Sequence, residues 1–283
     1  ESNAVAYANS VIGARSNRYG DFLDISCALT GRVPASGLHL TEHRRGTHLF
    51  ALKGVSEELQ RRDDFYPVLG YLLGQAVTNG IPVVDGLKVT PTSDQLKALA
   101  AAAASSGAIA LFHLVGVTPE APDLEAAFQG KPDGPCARVT PARLREARAA
   151  LSTAQTDVVD VVAFGSPHAS LRECNELAEL MSGRSARDGM QVYVTTSRGV
   201  KEILARTGAL AVIEGFGASV VADTCIVVAP LVRPGAKVLM TNSGKYAHYG
   251  PGLIGVDSIY GTTSECVGAA VTGRAEIDLS SWA

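Results

Sequence analysis

The sequence predicts an α/β protein of repeated strand–helix units with mostly parallel sheets. Two observations carry that reading. From Thr140 onward, short apolar runs alternate with helical stretches, which is the rhythm of a parallel sheet covered by helices. The helices also mark their own starts. Thr92 with Gln95, Ser170 with Glu173 and Thr262 with Glu265 stand at capping-box spacing, where each pair satisfies exposed amides of a first turn.

Composition narrows the classes. Apolar residues make up 46% and charged residues 19% of the 283-residue chain, a globular balance. The net charge of -3 and a pI of about 6.1 give no basic footprint for nucleic acid. No apolar run approaches the roughly 20 residues of a spanning helix, and no signal peptide is evident. Cys27, Cys136, Cys174, Cys225 and Cys266 fit no disulfide framework. Scattered thiols point to a reducing compartment, so a cytoplasmic protein without a membrane partner is expected. The chain opens at Glu1 on dense polar residues. We therefore expect it to be the later part of a longer protein.

Taken in order, Glu1 to Gly20 has small apolar residues at helical spacing and a face of Ser2, Asn3, Asn9, Ser10 and Arg15. Its end is expected to present Arg15 to an anion. Asp21 to Gly31 is a second apolar segment, with Cys27 read as a buried structural thiol. Val33 to Gly46 is a loop. His39 and His43 within it lack a third ligand, which argues against a metal there. Asp63 to Asn79 reads as a helix, Ile81 to Val84 as a strand, Thr92 to Ser106 as a helix and Ala108 to Val115 as a buried strand. The Pro- and Gly-rich stretch Thr118 to Pro135 suggests a boundary between a first region, 1–130, and a second, 131–283. Pro141 then opens a helix behind Thr140. Strands follow at 157–164, 191–196, 218–230 and 238–240, with helices at 171–181, 199–207 and 262–272.

Three places could carry chemistry. Gly165 to Ser170 (GSPHAS) precedes a helix N-terminus, where amides favour an anion. Ser166 and His168 add donors. Asp223-Thr224-Cys225 interrupts an apolar run, and Cys225 is either a buried thiol, a ligand or a nucleophile. Cys266 falls in a helix's first turn, where the dipole favours thiolate. Cys225 and Cys266 are a candidate metal-ligand pair, flanking the glycine-hinged loop Thr241 to Gly252 with its Asn242, Ser243 and Lys245. No dinucleotide fingerprint, P-loop or nucleophile elbow appears.

Several stretches together resemble the large-subunit portion of the aconitase X family: ESNAVAYANSVIGAR, DFLDISCALTGR, GSPHASLREC, DTCIVVAPL and TNSGKYAHYGPG. The resemblance runs in order over nearly the whole chain and implies an aconitase-like fold. It also implies a hydro-lyase that uses an iron–sulfur cluster (2Fe-2S or 4Fe-4S) or mononuclear iron as a Lewis acid. The family's known activities are dehydration of cis-3-hydroxy-L-proline and of mevalonate 5-phosphate. On matching positions, Cys225 and Cys266 would ligate iron, with a third ligand upstream. Ser2, Asn3, Asn9, Ser10 and Arg15 would line the pocket with Ser166 and Asn242. His168, Ser243 and Lys245 would hold the substrate or move protons. An upstream part of the same subunit and a small swivelling domain or subunit would complete the site. The first expectation is a dehydratase of cis-3-hydroxy-L-proline; the runner-up acts on mevalonate 5-phosphate. The rival from another class is a metal-free ligand-binding or regulatory α/β module.

Overall fold

The computed structural model describes residues 2–19, 21–78, 80–131 and 134–282. The chain divides into two compact units, Glu1–Leu144 and Arg145–Ala283. Each is built on one sheet whose strand pairs all run parallel. That is the fold class expected from the strand–helix rhythm.

In the first unit, α1 (Ser2–Tyr7) continues into a π-helical turn, Ala8–Ile12, and α2 covers Asp21–Thr30. Then follow β1 (His48–Leu52), α3 (Glu57–Arg61), α4 (Phe65–Ala76), β2 (Pro82–Asp85) and α5 (Ser93–Gly107). After these come β3 (His113–Leu114), α6 (Leu124–Ala127) and β4 (Cys136–Val139). The sheet order is β3-β2-β1-β4. The stretch Thr118–Pro135 is thus followed by a strand that joins the first sheet beside β1.

Three local expectations change. The strand β1 was not picked out from sequence. The run expected as a strand from Ala108 shrinks to two residues, with Ala108 itself in the left-handed region at φ 57°. Cys27 is partly accessible rather than buried, because α2 turns its apolar side chains outward: Phe22 and Leu29 are each 83% exposed.

The helices α4 and α5 pack through small residues. Leu99 to Ala104 of α5 are buried, and so are Gly70 and Gly74 of α4. A Cβ on Gly74 would stand 2.8 Å from the amide nitrogen of Gly107 and 2.9 Å from the Ala103 carbonyl. Interaxial distance follows the side chains at the contact, so glycine and alanine set this one short. Elsewhere in the unit a buried arginine ties down the N-terminal segment. Arg44 Nε donates to both Glu120 carboxylate oxygens at 2.9 Å, while its Nη groups donate to the carbonyls of Leu38, Asn9 and Ala14.

After α7 (Pro141–Ala150) the second unit runs β5 (Val161–Ala169), α8 (Leu171–Met181), β6 (Gln191–Thr196), α9 (Arg198–Thr207), α10 (Ala209–Gly215) and β7 (Ala218–Ala222). It continues with β8 (Val238–Thr241), α11 (Gly244–Tyr249), β9 (Asp257–Tyr260) and α12 (Thr263–Thr272). The order is β7-β6-β5-β8-β9. Side chains alternate across it. Val162, Phe164, Val192, Val194 and Met240 face a core that includes Leu177, Leu204, Ile213 and Cys266, from α8, α9, α10 and α12. Val161, Ala163 and Leu239 face the opposite way, onto Tyr246 of α11, Cys225 and Val256.

Gly74→Ala is expected to destabilise the first unit by about 1–3 kcal/mol, the usual cost of overpacking. Urea titration followed by far-ultraviolet circular dichroism measures it. An unchanged midpoint would show that α4 and α5 are not in tight contact.

Candidate active site

A sheet that winds outward in both directions from its centre has a crevice where the winding reverses, at the carboxyl ends of the two central strands. Here the reversal lies between β5 and β8. The polar motifs singled out from sequence meet there. β5 ends in Gly165 to Ala169, and β8 runs into Asn242, Ser243 and Lys245.

The last ladder pair between these strands is Ala163 with Thr241. Beyond it the strands diverge, and hydroxyls take over as donors to β5. Thr241 Oγ1 donates to Ala163 O at 2.7 Å, and Thr195 Oγ1 to Gly165 O at 2.6 Å. Ser243 Oγ donates to Ser166 O and accepts from Tyr246 N, capping α11. Thr195 Oγ1 also meets the Tyr246 hydroxyl at 3.1 Å. Gly165 is needed at its place. Its φ is 91°, and a Cβ there would lie 2.0 Å from Thr195 O.

His168 lies at this edge, half-buried, with Nε2 donating to Thr224 O at 3.1 Å. Ser166 and Lys245 are buried, and Asn242 Nδ2 donates to Thr263 Oγ1 at 3.0 Å. The stretch expected as a loop after β8 is instead the short helix α11 followed by a π-helical turn, Gly250–Ile254. The expected strand 218–230 ends at Ala222. Asp223, Thr224 and Cys225 therefore lie just past a strand end, at the same edge as His168.

At the start of α8, where the sequence suggests an anion site, the chain's own side chains already meet two of the first-turn amides. Glu173 Oε2 accepts from Ser170 N at 2.7 Å, and Ser170 Oγ accepts from Glu173 N. The same holds on both sides. Glu265 Oε2 accepts from Thr262 N at the start of α12, and Asp223 Oδ1 accepts from Arg198 N at the start of α9. Carboxylates of the chain itself complement these helix dipoles. α11, which follows β8, is capped by Ser243 and has no acidic residue in its first turn.

Cys225 and Cys266, expected as a metal pair with a third ligand upstream, belong to different packing clusters. Cys225 packs with Val161, Ala163, Leu239 and Tyr246, whereas Cys266 packs with residues of the helical face opposite. The sheet lies between them. Among the described residues no three His, Cys, Asp or Glu side chains group as metal ligands. The thiolate expected of Cys266 also fails. Burial pushes its thiol well above the usual range, Glu265 adds to the rise, and Arg148 only partly opposes it. Desolvation outweighs the helix dipole.

The N-terminal candidates serve their own unit. Asn9 is fully engaged: Nδ2 donates to Ser16 O and Ala110 O, and Oδ1 accepts from Ser16 N and Oγ. Ser10 Oγ accepts from Phe112 N at 2.8 Å. Arg15 Nη1 donates to His39 O and Thr41 Oγ1, so the guanidinium holds a loop. Asn3 is buried with Oδ1 unmatched among the described residues. The side chain of Ser2 lies outside the described residues.

Fold and edge together define the second unit as a doubly wound α/β sheet whose polar motifs gather at its switch point. The chain belongs to the aconitase X family. The family's first-domain model matches residues 1–42, its second-domain model 46–149 and its third-domain model 159–272. The chain is 47% identical to cis-3-hydroxy-L-proline dehydratase of Pseudomonas aeruginosa, over all of this chain and 49% of that protein. It is 40% identical to the phosphomevalonate dehydratase large subunit of Methanothermobacter thermautotrophicus, over 92% of this chain and 62% of that one. The crystal structure of Thermococcus kodakaraensis aconitase X in its holo-form superposes with a TM-score of 0.82 at 32% identity, over 95% of this chain and 67% of that one. The chain spans about half the length of the cis-3-hydroxy-L-proline dehydratases it matches. No helix among the described residues is long and apolar enough to cross a membrane.

Iodoacetamide at about pH 8 is expected to modify exposed Cys136 and to spare Cys266 until the protein unfolds. A raised thiol pKa leaves little of the reactive thiolate. Peptide mass mapping checks this, and rapid native modification of Cys266 would overturn its placement.

Proposed function

We propose that this chain is the large portion of a hydro-lyase that removes water from a small hydroxy-carboxylate, with cis-3-hydroxy-L-proline as first choice. One observation carries the proposal: His168 lies at the end of β5, and Asn242 and Lys245 follow the end of β8, the two adjacent strands where the second sheet reverses. The 47% identity to a cis-3-hydroxy-L-proline dehydratase supports the substrate class.

Dehydration takes a proton from the carbon beside the carboxylate and releases the neighbouring hydroxyl, which leaves as water once protonated. With carboxylates of the chain already on the N-termini of α8, α9 and α12, the substrate carboxylate is assigned to Lys245 and Asn242 at the start of α11, whose first turn has no acidic residue. Nε2 of His168 keeps its proton against Thr224 O, so Nδ1 is the ring nitrogen that takes the substrate proton. Ser243, with its hydroxyl donating to Ser166 O and accepting from Tyr246 N, braces the site. Cys225 and Cys266 do not converge, so the described residues do not compose the iron site that the resemblance implied. The chemistry assigned to the chain is binding and proton transfer. The relatives called large subunits support a small domain or subunit as the partner that completes the enzyme, and a reducing, cytoplasmic setting suits the five free thiols.

The same carboxylates weigh against mevalonate 5-phosphate. A phosphate ester would bring a second anion to an edge where three helix N-termini are already occupied.

An anaerobic assay of the complete enzyme with both substrates tests the proposal, with the unsaturated product measured. Turnover of cis-3-hydroxy-L-proline is expected. Lys245→Met should lower kcat/KM about 100-fold, the worth of a strong charge-assisted hydrogen bond, and His168→Gln should lower kcat by a similar factor. Turnover of mevalonate 5-phosphate alone would reverse the choice, and full activity in both variants would remove these residues from the mechanism.

A further inference from the structure

We infer that Asp223 is a positioning residue for His168: it fixes the carbonyl of Thr224 that sets the orientation of the imidazole. The inference rests on the reading of His168 as a proton-moving group. The backbone gives the first sign. Asp223 has φ 58°, a left-handed conformation shared by only two other non-glycine residues among those described, Ala108 and Gln129. That region disfavours L side chains, although Asp tolerates it better than most. Observed outliers of this kind are held in place by their surroundings.

The surroundings here are specific. Asp223 N donates to Thr196 O at 3.0 Å, Oδ1 accepts from Arg198 N at 3.0 Å, and Oδ2 pairs with Arg198 Nη2 at 3.0 Å. The residue is thereby fastened to the turn between β6 and α9 through both its backbone and its carboxylate. β7 has ended at Ala222, and the left-handed step swings the chain out of the sheet. The next carbonyl, Thr224 O, then faces His168 Nε2 at 3.1 Å. A carbonyl can only accept, so this bond selects the tautomer with the proton on Nε2. A glycine would take φ 58° with less strain, but it could not fasten the turn.

A purely structural role as a cap of α9 makes a different prediction. That helix already has Ser197 as its N-cap, with Ser197 Oγ accepting from Val200 N. Loss of Asp223 would then loosen α9 and leave His168 as it was.

Nitrogen-15 labelling of the histidines of the 283-residue chain, read by long-range proton–nitrogen correlation, separates the two. The His168 signals are assigned by their loss in His168→Gln. The wild type is expected to show the Nε2–H tautomer alone. Asp223→Asn, which keeps an acceptor and tolerates the backbone, should match it. Asp223→Ala should shift the nitrogen signals towards a mixture of tautomers. Should the alanine variant fail to fold, Asp223→Gly removes the carboxylate without strain and gives the same readout. An unchanged His168 spectrum in the folded variant would overturn the inference. In the complete enzyme, Asp223→Ala should lower kcat about tenfold, as loss of a histidine's orienting partner does, with KM little changed. A shifted tautomer with undiminished kcat would leave Asp223 as the positioning residue and remove His168 from proton transfer.

Discussion

The site depends on what happens to β5 after it leaves its ladder with β8. Past Ala163 and Thr241 the two central strands separate, and a buried carbonyl without a donor is costly. Three hydroxyls supply the donors, from Thr241, Thr195 and Ser243 to Ala163, Gly165 and Ser166. They stand on β8, on β6 and at the cap of α11, so three elements hold the irregular end of β5. The pairing with β6 resumes only at Ala169 and Thr196. His168 stands where it does because this detour is pinned on both sides.

The same edge shows where the chain spends its own carboxylates. A parallel sheet points the N-termini of its following helices at the carboxyl edge, which would make it attractive to anions. In this chain Glu173, Asp223 and Glu265 already sit on three of those termini, while α11 after β8 is capped by Ser243. The terminus without a carboxylate is that of α11, which carries Lys245.

Much of this was legible in the sequence. All three capping boxes begin helices where expected, because the hydroxyl and the acidic or amide side chain three residues on need no tertiary partner to work. GSPHAS and TNSGK declared themselves by polar density. Shorter features stayed hidden. β1 and β9 are five and four residues long, too short for a period to stand out. Asp223 was read as strand because its apolar neighbours continue to Pro230, and nothing in that run announces a left-handed residue. The placement of the two cysteines was hidden for a geometric reason. Nearness in sequence to one loop says nothing about which sheet face a side chain takes, and Cys225 and Cys266 take opposite ones.

The N-terminal candidates show the converse error, in which polar residues assigned to a substrate meet the needs of the backbone. The run Ala108 to Val115 is apolar enough to read as a buried strand, yet only His113 and Leu114 pair with β2. The remaining polar groups need donors and acceptors from elsewhere. Arg18 Nη1 donates to Ala108 O, Asn9 Nδ2 to Ala110 O, and Ser10 Oγ accepts from Phe112 N. Asn and Ser in a helix of small residues are weak helix formers, so their presence asks for a reason. Here the reason is a neighbouring segment too irregular to satisfy itself. Asn9 and Ser10 act as side-chain stand-ins for a missing strand, and Arg44 draws the same segment down through the Asn9 and Ala14 carbonyls. Asn3, with its buried Oδ1 unmatched, is the N-terminal polar residue whose presence this backbone accounting does not explain.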